Sequence, residues 1–273
     1  MDLLLLFKAF ALGVVEGLTE FLPVSSTGHL IIAGDLLAFE GEAADTFFVA
    51  IQAGAILAVC WHYRARIIAI LRHFAHPGKE RRLAVNTALA FLPAAVIGVM
   101  AASAIKRYLF NSMTVAAVLV AGGVIILLLE RRLQGKAPRV AGMDDMSWKD
   151  ALGVGLLQCL AMIPGTSRSG ATIIGGLALG LSRTAATEFS FFLAIPTIFG
   201  ASAYDLFKNP PALASGDLLA FAAGFAVSFA SAIAVIRWLL AFVANNDFRG
   251  FGWYRIAFGL LILALGQSGL VQF

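Results

Sequence analysis

Two carboxylates, Glu16 and Glu20, stand four residues apart in an otherwise apolar stretch near the start of the chain. On a helix this spacing puts both side chains on one face, about one turn apart. Two adjacent carboxylates in a low-dielectric site repel each other, so either one is protonated or a cation lies between them. We expect a divalent cation, Mg²⁺ or Ca²⁺, because Mg²⁺ is often held by one or two carboxylates together with substrate phosphate oxygens. The alternative is a solvated helix face.

A run of hydroxyl residues, Ser25, Ser26 and Thr27, follows these carboxylates and leads to His29. A hydroxyl is a weak nucleophile until a base takes its proton, and histidine is the usual base near neutral pH. The run therefore predicts an activated hydroxyl. We also expect one of the hydroxyls to cap the helix predicted over 28–38, and packing alone is the alternative explanation for His29.

A second polar loop carries Arg168 between Ser167 and Ser169, with Gly170 directly after them. Arginine binds phosphate through two N–H groups and stays charged when buried. Glycine-rich backbone at the start of a helix adds N–H groups that favour an anion. This loop therefore predicts a phosphate site. An interfacial anchor or an internal partner of Glu20 is the alternative, and neither excludes phosphate binding.

Taken together, the two loops would supply two carboxylates, a metal ion, an arginine, several hydroxyls and a histidine. Phosphoryl chemistry requires chiefly charge neutralisation and positioning from a protein. The set therefore suits an anionic phosphate ester. Because the surrounding sequence is apolar, we expect a substrate with a lipid tail that arrives laterally from the bilayer.

The elements that must position these loops are strongly apolar. The chain has 273 residues, of which 60% are hydrophobic and 13% charged, whereas a soluble globular protein is about half apolar and about a quarter charged. Six blocks reach the roughly 20 residues of helix that a bilayer core requires. We predict transmembrane helices at 45–63, 83–105, 113–130, 185–207, 217–242 and 252–271. Two further blocks, 3–15 and 151–164, are too short to span. A stretch of that length is more often a re-entrant segment, a signal-peptide core or a buried helix.

The sequence also repeats itself at a shift of 142 residues. The shift places Ser25 on Ser167 and Gly28 on Gly170, inside the two polar loops. We therefore predict a single all-α membrane domain of two halves, 1–131 and 150–273, each with one re-entrant hairpin (2–38 and 150–182) and three spans. Because three is odd, the second half is inverted, and an inverted-topology repeat places its functional site near the bilayer midplane.

Basic residues are concentrated in two connecting segments, 63–82 and 131–149. Basic loops resist translocation and stay in the cytoplasm, so both large basic segments agree with this topology. The net charge of +4 is then mainly a topology signal, and no nucleic-acid partner is expected.

The two polar loops resemble the signature motifs of a known family. E-G-L-T-E-F-L-P-V-S-S-T-G-H at 16–29 and P-G-T-S-R-S-G-A-T at 164–172 are similar to those of the bacterial undecaprenyl-pyrophosphate phosphatases of the bacitracin-resistance type. The resemblance covers nearly the whole chain, and Thr166 stands where an aromatic residue is often found. It implies hydrolysis of undecaprenyl pyrophosphate with a divalent cation, recycling of the lipid carrier for peptidoglycan synthesis, and a site on the outer, periplasmic face of the bacterial inner membrane.

The resemblance also implies roles for individual residues. On this hypothesis Glu16 and Glu20 hold the ion, and Ser26 attacks the terminal phosphorus with His29 as base or acid. The expected substrate-binding residues are Ser25, Thr27, Ser167, Arg168, Ser169, Gly170 and Thr172. The mechanistic alternative is a metal-activated water with no covalent intermediate.

A second class of function, a lipid flippase or an ion-coupled secondary transporter, stays open because inverted repeats with broken segments are typical of transporters. A purely structural scaffold does not explain the buried ionisable residues. The expected partners are a polyprenyl pyrophosphate lipid and the bilayer. A homodimer is one option for the oligomeric state.

Overall fold

The structure, a computed structural model, describes residues 2–39, 42–109, 111–208 and 218–268. Within these ranges the chain is helical and forms no β-strand. One isolated parallel bridge joins Val140 to Leu181. The predicted all-α class is therefore confirmed.

Eleven α-helices occur in the described ranges. They are α1 (Leu3–Thr19), α2 (Ser26–Leu36), α3 (Glu42–His62), α4 (Arg64–His73), α5 (Lys79–Leu109), α6 (Ser112–Leu133), α7 (Trp148–Gln158), α8 (Arg168–Ala178), α9 (Arg183–Lys208), α10 (Leu218–Val243) and α11 (Arg249–Ser268). Single turns of 3-10 helix occur at Met143–Asp145 and Cys159–Met162.

Five described helices are long and apolar enough to cross a membrane, which identifies a multi-pass membrane protein. Their apolar segments are Ala44–His62, Lys79–Ala101, Met113–Leu133, Arg183–Asp205 and Leu218–Val243. These segments coincide with the first five predicted spans. Helix α11 covers residues 252–268 of the sixth predicted span but is not among the five. The remainder, 269–271, lies outside the described residues.

Each predicted hairpin contains a pair of short helices, α1 with α2 and α7 with α8. The first helix of each pair begins at a side-chain cap, which satisfies N–H groups that have no partner within the helix. The Asp2 carboxylate accepts from the N–H groups of Leu4 and Leu5. Ser147 and Asp150 form a reciprocal capping box at α7.

Helix packing pairs each half of the chain with the other. Helix α1 packs along α10 and α7 packs along α5, while α3 contacts α10 and α9 contacts α5. Helices α6 and α11 pack against each other, as do α3 and α9. Each of these contacts has a counterpart when the two halves are exchanged. This reciprocity is the pattern that the predicted pair of equivalent halves would give.

The basic segment 63–82, which was predicted to be a loop, also contains helix. It contains α4 and the start of α5, and no residue of α4 is buried. Positive charge decides on which side of a membrane a segment stays, but it does not prevent a helix from forming. Arg66, in α4, forms an ion pair with Asp144 of the second basic segment, so the two basic segments lie together.

Candidate active site

The two polar loops meet in the interior of the protein. The Ser169 hydroxyl donates to the carbonyl oxygen of Leu22 over 2.6 Å, and the Ser167 hydroxyl reaches the same oxygen over 3.4 Å. The Arg168 guanidinium contacts the Glu20 carboxylate over 3.2 Å. Residues more than 140 positions apart therefore form one site, at the junction that the repeat predicted.

Both loops end in the same backbone turn. Ser25 and Ser167 precede α2 and α8 with φ angles of 74° and 71°, and both are non-glycine residues in the positive-φ region. Their hydroxyls accept hydrogen bonds from the N–H groups of Gly28 and Gly170. A non-glycine residue in such a conformation costs on the order of 1–3 kcal/mol and persists only where the surroundings impose it. The cap interaction offsets part of this cost and begins each helix at a residue predicted to act in the chemistry, Ser26 or Arg168.

Glu20 joins the nucleophile candidate to the guanidinium. The Ser26 hydroxyl donates to Oε2 of Glu20 over 2.6 Å, and Nη2 of Arg168 donates to Oε1. The side chains of Arg168 and Glu20 are only 10% and 5% exposed, so their charges neutralise each other largely away from water. The carboxylate is thus placed to accept the Ser26 proton.

Arg168 is held by three further groups. Its Nη1 donates to the carbonyl and the hydroxyl oxygens of Ser190 over 2.9 and 3.3 Å. Its Cζ lies 5.9 Å from the ring centre of Phe21, within cation–π range. The Nε atom is buried and has no hydrogen-bond partner in the described part of the chain. One strong donor of the guanidinium is therefore left for another acceptor.

Glu16 lies one helical turn before Glu20, as the spacing predicted, and is buried rather than solvated. Neither of its carboxylate oxygens finds a hydrogen-bond partner among the described residues. Leaving a buried charged oxygen without a partner is costly. No group of three or more His, Cys, Asp or Glu side chains with metal-binding geometry occurs in the described ranges, so Glu16 and Glu20 form at most part of a coordination shell.

The His29 ring is hydrogen-bonded to groups other than Ser26, contrary to the predicted base–nucleophile pairing. Its Nδ1 lies 2.7 Å from the carbonyl oxygen of Ser25, and its Nε2 lies 2.6 Å from the hydroxyl of Tyr254. The reason lies in the partners: the Glu20 carboxylate accepts from Ser26, and the Ser25 carbonyl and the Tyr254 hydroxyl of α11 take the two ring nitrogens. The pairing of Ser26 with Glu20 replaces the expected pair.

Several predicted substrate-binding side chains are instead used to hold the loops together. Thr172 and Ser169 are fully buried. The Thr172 hydroxyl bonds the Arg168 carbonyl and the Ser190 hydroxyl, and the Ser169 hydroxyl is taken by Leu22. These two hydroxyls thus position the loop and are not free for substrate. The hydroxyls of Ser25 and Ser167 act as caps, the N–H of Gly170 is bound to Ser167, and Thr27 is exposed.

Arg255 lies beside both loops, and the sequence motifs did not single it out. It is 1% exposed, in the middle of α11, and its guanidinium faces backbone carbonyls. The acceptors are Pro23 in the first loop, Gly165 and Thr166 in the second, and Leu119 and Val118 in α6. A buried cation therefore ties both loops to α6. Its position inside a predicted span was the signal, because intramembrane ionisable residues are usually functional.

Comparison with known proteins gives a consistent result over the whole chain. A sequence model of the family described as bacitracin resistance protein BacA matches residues 9–261. A relative from Methylococcus capsulatus, named undecaprenyl-diphosphatase, is 57% identical over 264 residues, which cover 97% of this chain and 96% of the relative. Relatives of the same name from Nitrosomonas europaea and Cupriavidus metallidurans are 55% and 51% identical to this chain. The matches cover all of this chain and 98% and 99% of the two relatives.

Proposed function

The chain belongs to the bacitracin resistance protein BacA family, and from this premise we propose that it is an undecaprenyl-diphosphatase. It hydrolyses undecaprenyl pyrophosphate to undecaprenyl phosphate and inorganic phosphate. This reaction recycles the lipid carrier for cell-wall synthesis and confers resistance to bacitracin. Support comes from the names of relatives that are more than half identical over almost their full length and from the chemistry of the two loops.

The contact that carries the proposal is the hydrogen bond from Ser26 to Glu20. A serine hydroxyl attacks phosphorus efficiently only when a neighbouring base removes its proton. Glu20 is the nearest base, since its Oε2 lies 2.6 Å from the Ser26 oxygen. In the proposed reaction the Ser26 oxygen bonds the terminal phosphorus, Glu20 takes the proton, and undecaprenyl phosphate leaves. Water then cleaves the phosphoserine and releases phosphate.

Arg168 is the residue that we propose to bind the transferred phosphate. Its free Nε and its position across Glu20 from Ser26 suit an anion held next to the attacking oxygen. Arginine binds phosphate bidentately, so substrate binding would draw the guanidinium partly away from Glu20. The carboxylate then becomes a better proton acceptor at the moment when substrate is present.

The donor set of the first loop fits a divalent cation. Both oxygens of Glu16 are buried and have no protein partner in the described ranges, and Glu20 lies on the same helical face. We propose that these carboxylates hold Mg²⁺ or Ca²⁺ and that phosphate oxygens of the substrate complete the shell. When bound, the ion would neutralise charge on the pyrophosphate. Glu16 and Glu20 would hold the ion, and the contacts of Glu20 with Arg168 and Ser26 keep its carboxylate oriented.

For the membrane arrangement, we propose six spans, with α11 as the sixth, and two re-entrant pairs, α1–α2 and α7–α8. The reciprocal packing of the halves supports an inverted repeat. The basic segments 63–82 and 131–149 support a cytoplasmic location for the ends that they join. The protein then lies in the bacterial inner membrane, the site opens toward the periplasm, and the lipid substrate enters from the bilayer. A homodimer stays a prediction.

Phosphate release from undecaprenyl pyrophosphate by the purified protein tests this function. With Mg²⁺ or Ca²⁺ in detergent, we expect release that falls at least a hundredfold in Ser26→Ala, as expected for loss of a nucleophile. No release by the wild type would overturn the proposal and favour lipid transport, which a vesicle assay with labelled lipid would detect.

The covalent route and direct attack by water are separable. Rapid acid quenching with substrate labelled on the terminal phosphate traps a phosphoserine only if Ser26 is the nucleophile. A trapped label at Ser26 supports the covalent route. A Ser26→Ala enzyme that keeps a near-normal rate would contradict it.

A further inference from the structure

His29 has both ring nitrogens engaged by groups outside the Ser26–Glu20 pair. Nδ1 lies 2.7 Å from the Ser25 carbonyl oxygen on its own helix. Nε2 lies 2.6 Å from the hydroxyl of Tyr254, a residue of α11 that follows His29 by 225 positions in the sequence. The imidazole therefore bridges the first loop and the last helix.

These partners select one form of the ring. A carbonyl oxygen can only accept, so Nδ1 must carry a proton. In the neutral ring Nε2 then has a lone pair, and the Tyr254 hydroxyl is its donor. The hydrogen bond made by one ring nitrogen thus decides the state of the other.

Aromatic packing holds the ring in that orientation. The imidazole stacks on Phe258 with a centroid distance of 4.0 Å and an interplanar angle of 15°. Its plane is also within 6° of the Tyr254 ring. Tyr254 and Phe258 are four residues apart on α11 and so present one face to His29.

The held ring acts on the turn that aims the nucleophile. The Ser25 carbonyl that His29 binds belongs to the residue with φ 74°, and strained backbone needs its surroundings to keep it in place. The next residue, Ser26, directs its hydroxyl at Glu20. The hydrogen bond from Tyr254 thus affects the position of Ser26 through His29 and the Ser25 carbonyl.

We propose that Tyr254 is a positioning residue of the reaction. Its hydroxyl donates to Nε2 and so holds the imidazole, whose Nδ1 proton binds the Ser25 carbonyl. This ring in turn holds the Ser25–Ser26 turn in its attacking geometry. The inference rests on the proposed phosphatase function, since it concerns the placement of Ser26. It also makes a claim about the imidazole that does not depend on activity.

Tyr254→Phe tests the inference, because phenylalanine keeps the ring stack and removes only the donor. We expect kcat to fall about tenfold, the effect of one lost hydrogen bond, with KM unchanged. In ¹⁵N-histidine spectra of the detergent-solubilised protein, wild-type His29 should show a single form protonated at Nδ1. The variant should keep the proton on Nδ1, because the Ser25 carbonyl still accepts it, but its Nε2 resonance should shift because that nitrogen has lost its donor. A His29→Asn spectrum assigns the signal among the four histidines.

Trp253→Phe is the matched control, since Trp253 is 64% exposed on the same turn of α11 and should leave both readouts unchanged. A normal kcat in Tyr254→Phe, or a lowered kcat with an unaltered His29 spectrum, would overturn the inference. If the wild type releases no phosphate, the proposed function fails by itself. The spectra then still decide whether the Tyr254 hydroxyl donates to Nε2 of His29.

Discussion

The first and second polar loops end in the same backbone conformation but differ in their side chains. Each begins after a helix that packs closely through a glycine, Gly13 against Gly224 and Gly155 against Ala90. Each ends in a serine with a φ angle near 70° that caps the following helix. The repeat therefore preserves the parts that set the path of the chain.

The chemistry differs at the positions that the repeat aligns. Ser26 in the first loop corresponds to Arg168 in the second, and Glu16 corresponds to Gln158. Glu16 has two buried oxygens without a described partner, whereas Oε1 of Gln158 accepts from the Thr197 hydroxyl. The first loop thus concentrates negative charge and the proposed nucleophile, and the second supplies the arginine. In the proposed mechanism, one turn geometry places both halves of the phosphate site.

The largest expected effect comes from the carboxylate that joins the two loops. Glu20→Gln removes the acceptor of the Ser26 proton and the charged partner of Arg168. General-base catalysis contributes about 10²–10⁴-fold, so we expect kcat for phosphate release to fall about a thousandfold. Glu80→Gln removes a partner of Arg66 in the basic segment 63–82 and should leave kcat unchanged. An active Glu20→Gln enzyme would mean that the loops do not share this group.

A smaller effect is expected from the cation of the second loop. Arg168→Lys keeps the charge but loses the planar set of donors that contacts Glu20 and Ser190. We expect kcat/KM to fall about a hundredfold, in keeping with the loss of a charged group aimed at the transition state. Arg249→Lys, an exposed arginine paired with Asp247, is the control. Equal activity of lysine and arginine at position 168 would show that only its charge matters.

A still smaller effect is expected at the position where the loops differ as Glu16 and Gln158. Glu16→Gln should make the first loop resemble the second. Because one ligand contact is lost, the Mg²⁺ concentration for half-maximal activity should rise roughly tenfold. Titration of the ion at saturating substrate measures this. Glu16→Asp retains a carboxylate and should restore part of the affinity. An unchanged ion requirement in Glu16→Gln would assign the ion to other groups.

The smallest effect on catalysis is expected where the loops agree. Gly13→Ala and Gly155→Ala would each put a Cβ against backbone of the facing helix. Overpacking of this kind costs about 1–3 kcal/mol of stability, so both variants should lower the melting temperature in detergent by similar amounts while the folded enzyme keeps its chemistry. Gly250→Ala, with nothing within 4 Å of the added carbon, should not be destabilised. Unequal losses would argue against equivalent halves.

The sequence predicted the main helices and the meeting of the loops because both depend on regular features. Apolar block length predicted α3, α5, α6, α9 and α10, and the odd number of spans per half predicted that the two loops would face each other. The contact between Arg168 and Glu20, left open as an alternative, follows from that arrangement.

The partners within the site were not predictable in the same way. Ser190, Tyr254 and Arg255 reach the loops from α9 and α11, and no local spacing relates them to Glu20 or His29. Pairing Ser26 with His29 followed from their nearness in sequence. On a helix, however, the backbone turn and the neighbouring helices decide which side chains meet.

The most direct test of the shared site is a double-mutant cycle on phosphate release from undecaprenyl pyrophosphate. Ser26→Ala, Arg168→Ala and the double variant should each lose most of the wild-type kcat/KM. The kcat/KM of the double variant should be only slightly lower than that of the less active single variant, because the effects of groups that act as a unit are not additive. Losses that multiply, or a wild type that releases no phosphate, would contradict one site formed from two loops.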